Sequence, residues 1–256
     1  MELKHQLTPH LKRLRLSGVL ETLDTRNRQA IDAQWSYLEF LTRLLEDEVE
    51  RRAQKQLALR VRRAAINTTK TLEDFDFTFN PSLNRQLILA LAECDYIREH
   101  RNLLLCGPTG VGKTHLAQAL AHEACRRGWD VLFANTHKLL QHLNGGRADG
   151  SYDRRFQACL RPELLVLDDF GLKPLRPPGP EDLYDLINER YERGSILLTS
   201  NRAPSEWSEL FGDPLLASAG LDRLAHRAEV LVITGDSYRK EGRRRLEEEV
   251  RRHPEA

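Results

Sequence analysis

Apolar positions in the first quarter of the chain recur at three-to-four spacing. Leu7, Leu11 and Leu14 form one series and Tyr37, Leu41, Leu44 and Leu45 another, which Val49, Ala53, Leu57, Val61 and Ala64 continue as a narrow stripe. That period brings the side chains onto one face of a helix. Residues 1–66 are therefore expected to form a small bundle of three or so helices, with a break at Ser17-Gly18 and a turn within the polar stretch 24–34. The texture changes over residues 67–81, where Phe75, Phe77 and Phe79 alternate with acidic or polar residues. Alternation is the period of an extended strand with one apolar face; the segment reads as a linker whose rings dock on the next domain. From residue 82 to 256 the pattern changes again. An amphipathic helix over 83–97 leads to a strand at 102–106, a Gly-rich turn, a helix over 112–127 and a strand at 131–134. Further strands are expected at 164–167, 196–199 and 230–233, separated by helix-length segments. Such alternation predicts an α/β fold with a parallel sheet covered by helices on both faces.

Composition narrows the choices. The chain has 256 residues, 40% of them hydrophobic, which is enough for a core and excludes wholesale disorder. Lys and Arg number 39 against 38 Asp and Glu, so no global basic field advertises nucleic acid, and any such surface must come from local clustering. The longest apolar runs, such as Leu103-Leu104-Leu105-Cys106, fall far short of a membrane span. The charged N-terminal stretch has no secretory pattern, and Cys94, Cys106, Cys125 and Cys159 form no C-x-x-C pair. Free thiols in a reducing cytoplasm are the expectation. The nine histidines show no metal-binding spacing.

Gly107-Pro108-Thr109-Gly110-Val111-Gly112-Lys113-Thr114 fits the phosphate-loop pattern, with an apolar strand before it and a helix starting around His115 after it. Glycines let backbone N–H groups turn inward around phosphate without a Cβ in the way, and the helix aims its N-terminus at the same anion. Lys113 is expected to reach the β- and γ-phosphates and the Thr114 hydroxyl to hold Mg2+ of a bound ATP. The strand Leu164-Leu-Val-Leu-Asp168-Asp169 ends in two carboxylates at the edge where open α/β sheets bind ligands. Asp168 is assigned to the magnesium, and Asp169 to orienting or activating the attacking water. Asn201, at the end of Ile196-Leu-Leu-Thr-Ser, can hydrogen-bond that water or a γ-phosphate oxygen. Arg223 and Arg239 flank the last strand, and an arginine fork suits charge spreading over a γ-phosphoryl group.

The ordered set GPTGVGKTHLA, LLVLDDFG, LLTSN, LDRLAHRAEV and GDSYR resembles the AAA+ ATPases related to the helicase loader DnaC. The N-terminal run LRLSGVLETLDTRN and the linker LEDFDFTFNPSLNRQ are most similar to the IstB-type transposition helpers of insertion sequences. The resemblance runs from about Leu14 to Arg239. It implies an AAA+ P-loop core behind an N-terminal helical domain, with Lys113 and Thr114 as Walker A residues and Asp168 and Asp169 as the Walker B pair. It further implies Asn201 as sensor 1, Arg223 as an arginine finger reaching a neighbouring subunit, and Arg239 as the sensor-2 arginine. Only a short charged tail follows Arg239, where a full helical lid does not fit. Asp169 stands where many relatives carry Glu, and its shorter reach points to slow hydrolysis. The implied role is to assemble with ATP on double-stranded target DNA, remodel it and stimulate a partner transposase. A DnaC-like helicase loader is the alternative, and a small-molecule P-loop kinase or a non-hydrolysing scaffold are more distant ones.

For DNA, the run Arg51, Arg52, Lys55, Arg60, Arg62 and Arg63 contains no acid. On a helix, residues 51, 55 and 62 share a face opposite the Val49 to Val61 stripe, either a solvated face or a surface that tracks phosphates. Lys138, Lys173 and Arg176, in loops after sheet strands, are further candidates.

Overall fold

The computed structural model describes residues 2–238 and residue 240. The chain begins with three helices, α1 (Glu2–Arg13), α2 (Ser17–Asp32) and α3 (Tyr37–Ala64). The first break falls just ahead of Ser17-Gly18 and the second at the end of the polar stretch. No side chain of its own turn caps α2. Instead the Gly18 N–H donates to the Glu48 carboxylate at 2.5 Å, and the Val19 N–H to the same oxygen at 3.4 Å. A carboxylate there satisfies orphan amides and meets the positive end of the helix dipole. Burial pushes the Glu48 carboxyl up, but hydrogen bonds from Arg52, Gly18 and Val19 outweigh it and leave the pKa lowered. Only glycine permits this crossing, because a Cβ on residue 18 would lie 2.8 Å from the Glu48 Cα. Along α3 the apolar stripe is buried at Leu44, Val61 and Ala64, whereas Tyr37, Leu38, Leu41, Leu45 and Val49 are exposed. The chain divides into two compact units after Leu59, inside α3.

Residues 67–81 form turns where the alternation predicts a strand. The Asp76 carboxylate accepts from the Thr78 and Phe79 N–H groups at 2.9 and 3.2 Å, so a side chain takes the place of a strand partner. The rings still dock: Phe75 meets His115 edge-on at 5.2 Å, and Phe79 meets Tyr238 at 5.0 Å. The amphipathic helix that follows is split into α4 (Arg85–Ala92) and α5 (Asp95–Arg98) by Cys94, which adopts a left-handed φ of 65°.

The remainder alternates as the spacing predicts: β1 (Leu103–Cys106), α6 (Lys113–Arg126), β2 (Val131–Asn135), α7 (Thr136–Asp149), α8 (Tyr152–Leu160), β3 (Leu164–Phe170) and α9 (Gly179–Arg190). Then come β4 (Ser195–Ser200), α10 (Ser208–Phe211), α11 (Pro214–Ala225) and β5 (Glu229–Val232). The strands form one five-stranded sheet in the order β2-β3-β4-β1-β5, and every pairing is parallel. All side chains of β1 and β4 are buried, the usual condition of parallel strands covered on both faces. Leu139, Leu143, Leu183, Leu186 and Trp207 pack one face of the sheet as part of a single core. β3 runs past its expected end and carries Asp168 and Asp169 within it, and its register with β4 slips between Leu167 and Phe170. Because all the strands point the same way, the loops after β1, β2, β3 and β4 gather at one edge. No helix among the described residues is long and apolar enough to cross a membrane.

Candidate active site

The phosphate loop connects β1 to α6 at that edge. Gly107 has a φ of 149°, and a Cβ there would fall 2.0 Å from the Ile233 carbonyl oxygen, so no other residue fits. Gly110 and Gly112 also have positive φ. Lys113 is buried in the first turn of α6, where its Nζ donates to the Gly107 and Pro108 carbonyls at 2.8 and 2.7 Å. Gly107 and Pro108 thus meet the lysine rather than the cavity wall. Thr109, Gly110, Val111, Gly112, Lys113, Thr114 and His115 line a cavity of about 540 Å³, together with Asp169, Asn201 and Tyr238. Linker residues Thr69, Lys70, Phe75, Phe79 and Asn80 close its other side. His115 packs on Phe75 and donates from Nε2 to the Thr71 carbonyl at 3.1 Å; burial lowers its pKa.

Asp168 and Thr114, far apart in sequence, are in contact: the threonine hydroxyl donates to Asp168 Oδ1 at 2.9 Å. The Thr199 hydroxyl donates to the same oxygen at 2.6 Å. Burial pushes the Asp168 carboxyl up, the Thr199 and Thr114 hydrogen bonds oppose this, and nearby Asp169 adds to the rise. A buried carboxylate compensated by neutral hydroxyls gains from a cation. The hydroxyl and carboxylate oxygens of Thr114 and Asp168 are hard donors of the kind magnesium takes beside phosphates. The residues present therefore fit that ion.

Asp169 sits at the bulge with a φ of 57°. Its backbone N–H donates to the Thr199 hydroxyl at 3.0 Å, and its Oδ2 accepts from Asn135 Nδ2 at 3.1 Å. The other end of the Asn135 amide caps α7 through the Lys138 N–H. Sequence reasoning does not single out Asn135 and Thr199. The register of the sheet brings them in, pairing Asn135 with Asp168. The signal available is a helix cap, Asn135 directly before Thr136 and a helical run.

Arg223 is placed differently. It lines a separate cavity of about 120 Å³ with Asn102, Arg190 and His226. Asn102 directly precedes β1, so this cavity lies at the opposite end of that strand from the phosphate loop. The structure therefore does not bring Arg223 to its own chain's loop. Arg239 lies outside the described residues, as does the charged tail from residue 241. The segment just before it reaches the loop, with the Tyr238 N–H donating to the Gly110 carbonyl at 3.1 Å.

The basic run is only in part available. Arg51 forks onto the Glu21 carboxylate at 3.0 Å and also meets Ser17 Oγ, while Arg52 pairs with Glu48 at 2.7 Å and the Arg15 carbonyl at 3.1 Å. A phosphate contact by Arg51 or Arg52 has to share the guanidinium with those partners. Lys55, Arg62, Arg63 and Lys138 are exposed, although Lys138 lies in the first turn of α7, capped by Asn135, and not in a loop as its sequence position suggests. Lys173 and Arg176, also exposed, line a groove of about 590 Å³ with His137, Gln141 and Asn144 of α7.

Comparison with known proteins agrees with this geometry. Residues 9–246 match the family described as IstB-like ATP binding protein. A Mycobacterium tuberculosis protein named as an insertion-sequence ATP-binding protein is 44% identical over 230 residues, covering 90% of this chain and 92% of its own. The IS21 ATP-binding protein of Pseudomonas aeruginosa is 37% identical over 241 residues, covering 94% and 91%. Among solved structures, the DnaC helicase loader is similar with a TM-score of 0.56 at 25% identity, over 65% of this chain and 97% of that one. Nucleotide-bound DnaA from Aquifex aeolicus shares the fold with a TM-score of 0.57 at 23% identity, over 72% of this chain and 56% of that one. With a phosphate loop and an acidic strand end meeting on a parallel AAA+ sheet, and a family match over nearly its whole length, the chain belongs to the IstB-like ATP-binding proteins of insertion sequences.

Proposed function

We propose that this protein is an ATPase that assembles with ATP on double-stranded DNA, bends the duplex and stimulates a partner transposase. The observation that carries the ATPase reading is the contact of Thr114 and Asp168 beside the loop, with Asp169 next to it on the same strand. In this reading Lys113 leaves the Gly107 and Pro108 carbonyls for the β- and γ-phosphates. Thr114 and Asp168 would hold magnesium, which when bound would neutralise charge on the phosphates. Asp169 orients a water for in-line attack on the γ-phosphorus and takes its proton, while Asn201 hydrogen-bonds the γ-phosphoryl group. The products are ADP and inorganic phosphate. Arg223, turned away from its own site, completes the site of a neighbouring subunit, and Arg239 takes the sensor-2 role.

The insertion-sequence relatives, 37–44% identical along most of the chain, support a role in transposition. Likeness to DnaC supports the competing reading of a helicase loader, but over a smaller share of the chain. The exposed charges Lys55, Arg62, Arg63, Lys138 and Lys173 suit backbone tracking, which the dense phosphates of a duplex satisfy. Bending costs a few kcal/mol over a typical site, within reach of several added phosphate contacts. Gel shift and end-to-end energy transfer on duplexes of about 50 base pairs, long enough for several subunits, test the reading. ATP-dependent duplex binding with bending is expected. A strong preference for single strands without bending would move the assignment to a helicase loader.

A further inference from the structure

An arginine that acts on a neighbour must be held in place, because its long side chain otherwise samples many rotamers. The structure holds Arg223 twice. Its Nη1 donates to the Ala219 carbonyl, one turn back on α11, at 2.8 Å. Its guanidinium carbon also lies 5.8 Å from the ring centroid of Tyr184, a half-buried residue on the adjacent helix α9. The Tyr184 hydroxyl makes no hydrogen bond among the described residues, so the aromatic face is what it presents. The second hold is not local to α11, since it ties the arginine to a helix packed on the sheet. Leu183, Leu186 and Ile187 on both sides of Tyr184 are in the core and fix its backbone.

We propose that Tyr184 is a positioning residue for Arg223, its ring face holding the guanidinium in the orientation from which it reaches the nucleotide of a neighbouring subunit. This rests on the reading of Arg223 as a residue that acts between subunits. A cation over an aromatic ring is favoured by the ring quadrupole, whatever the substituent at the para position. The ring, not the hydroxyl, is therefore what matters, and phenylalanine will serve in its place. Leucine keeps apolar bulk at the site and removes the π face.

The experiment is single-turnover and steady-state ATP hydrolysis by the full chain with duplex DNA, for Tyr184→Leu, Tyr184→Phe, Arg223→Ala and the double variant Tyr184→Leu/Arg223→Ala. Tyr184→Leu is expected to lower kcat about two- to fivefold, the range of an exposed cation–π contact, and to leave ATP affinity unchanged. Tyr184→Phe is expected to keep wild-type turnover. In the Arg223→Ala background Tyr184→Leu is expected to have no further effect, since the residue it positions is gone. The inference is overturned if Tyr184→Leu turns over like wild type while Arg223→Ala is slow. It is equally overturned if Tyr184→Phe falls as far as Tyr184→Leu, or if the loss recurs undiminished in the Arg223→Ala background, as general destabilisation would produce. Should Arg223→Ala itself hydrolyse ATP at the wild-type rate, the intersubunit reading of Arg223 fails, and the role of Tyr184 fails with it.

Discussion

The sheet edge and the N-terminal helices treat charge in opposite ways. At the edge, the buried Asp168 carboxylate has neutral hydroxyls as its hydrogen-bond donors, and the loop curls around a cavity large enough for a nucleotide. In the helical unit, charges answer one another: Arg26 clasps Asp47 at 2.9 and 2.6 Å, Arg51 clasps Glu21, and Arg52 meets Glu48. One region gains from an incoming ion and phosphates; the other is already largely neutralised. What distinguishes a site from a charged surface here is the lack of internal compensation, not the number of charges.

The strongest way to probe the sheet edge is through Arg223. Arg223→Ala should bind ATP as wild type does and hydrolyse it about 10³-fold more slowly, the low end for an arginine finger. Next in size is Lys113→Ala. Losing the charge-assisted bonds to the β- and γ-phosphates, each worth about 1.5–3 kcal/mol, should weaken ATP by about 10²-fold in a fluorescent-nucleotide titration. Equal affinity in that variant would remove the phosphate loop from the nucleotide site. Asp169→Asn should keep the affinity and lose turnover.

The helical unit should respond through stability instead. Gly18→Ala forces a Cβ against the Glu48 backbone and should cost about 1–3 kcal/mol, read from urea unfolding, with ATP affinity unaffected. An unchanged midpoint would show that the crossing of α2 and α3 is looser than the geometry requires. A smaller effect sharpens the contrast among the basic residues themselves. Replacing Lys55, Arg62 and Arg63 together with Gln should flatten the slope of log DNA affinity against log salt by about one unit for each phosphate left without its cation. Arg51→Gln should leave that slope nearly unchanged while loosening the hold of α3 on Glu21 and Ser17. The opposite pattern would make Arg51 a DNA ligand and Glu21 an incidental neighbour.

The order of elements and the phosphate loop are legible because their signals are contiguous. Gly107 to Thr114 form one turn, and Leu164 to Asp169 one buried strand with its acids attached. What the sequence hides depends on residues brought from elsewhere. Asn135 and Thr199 reach Asp169 and Asp168 only through sheet register, which a strand's own sequence does not reveal. Arg51 reads as part of an unopposed basic run because its partner Glu21 lies 30 residues away, whereas the Arg52 partner Glu48 sits one helical turn back on the same helix. The alternation of Phe75, Phe77 and Phe79 is a true period, but Asp76 uses its carboxylate to close a turn that periodicity cannot distinguish from a strand. The helix over 83–97 breaks at Cys94, where no glycine or proline marks a left-handed residue.

The most direct test of hydrolysis between subunits is to mix two inactive proteins. Arg223→Ala carries an intact nucleotide site without the arginine, and Asp169→Asn carries the arginine without a working site. Co-assembled on duplex DNA with ATP, they should recover a measurable part of wild-type turnover, because some interfaces join an intact Asp169 to an intact Arg223. No recovery in subunits shown to have co-assembled would contradict catalysis between subunits and place Arg223 outside the reaction.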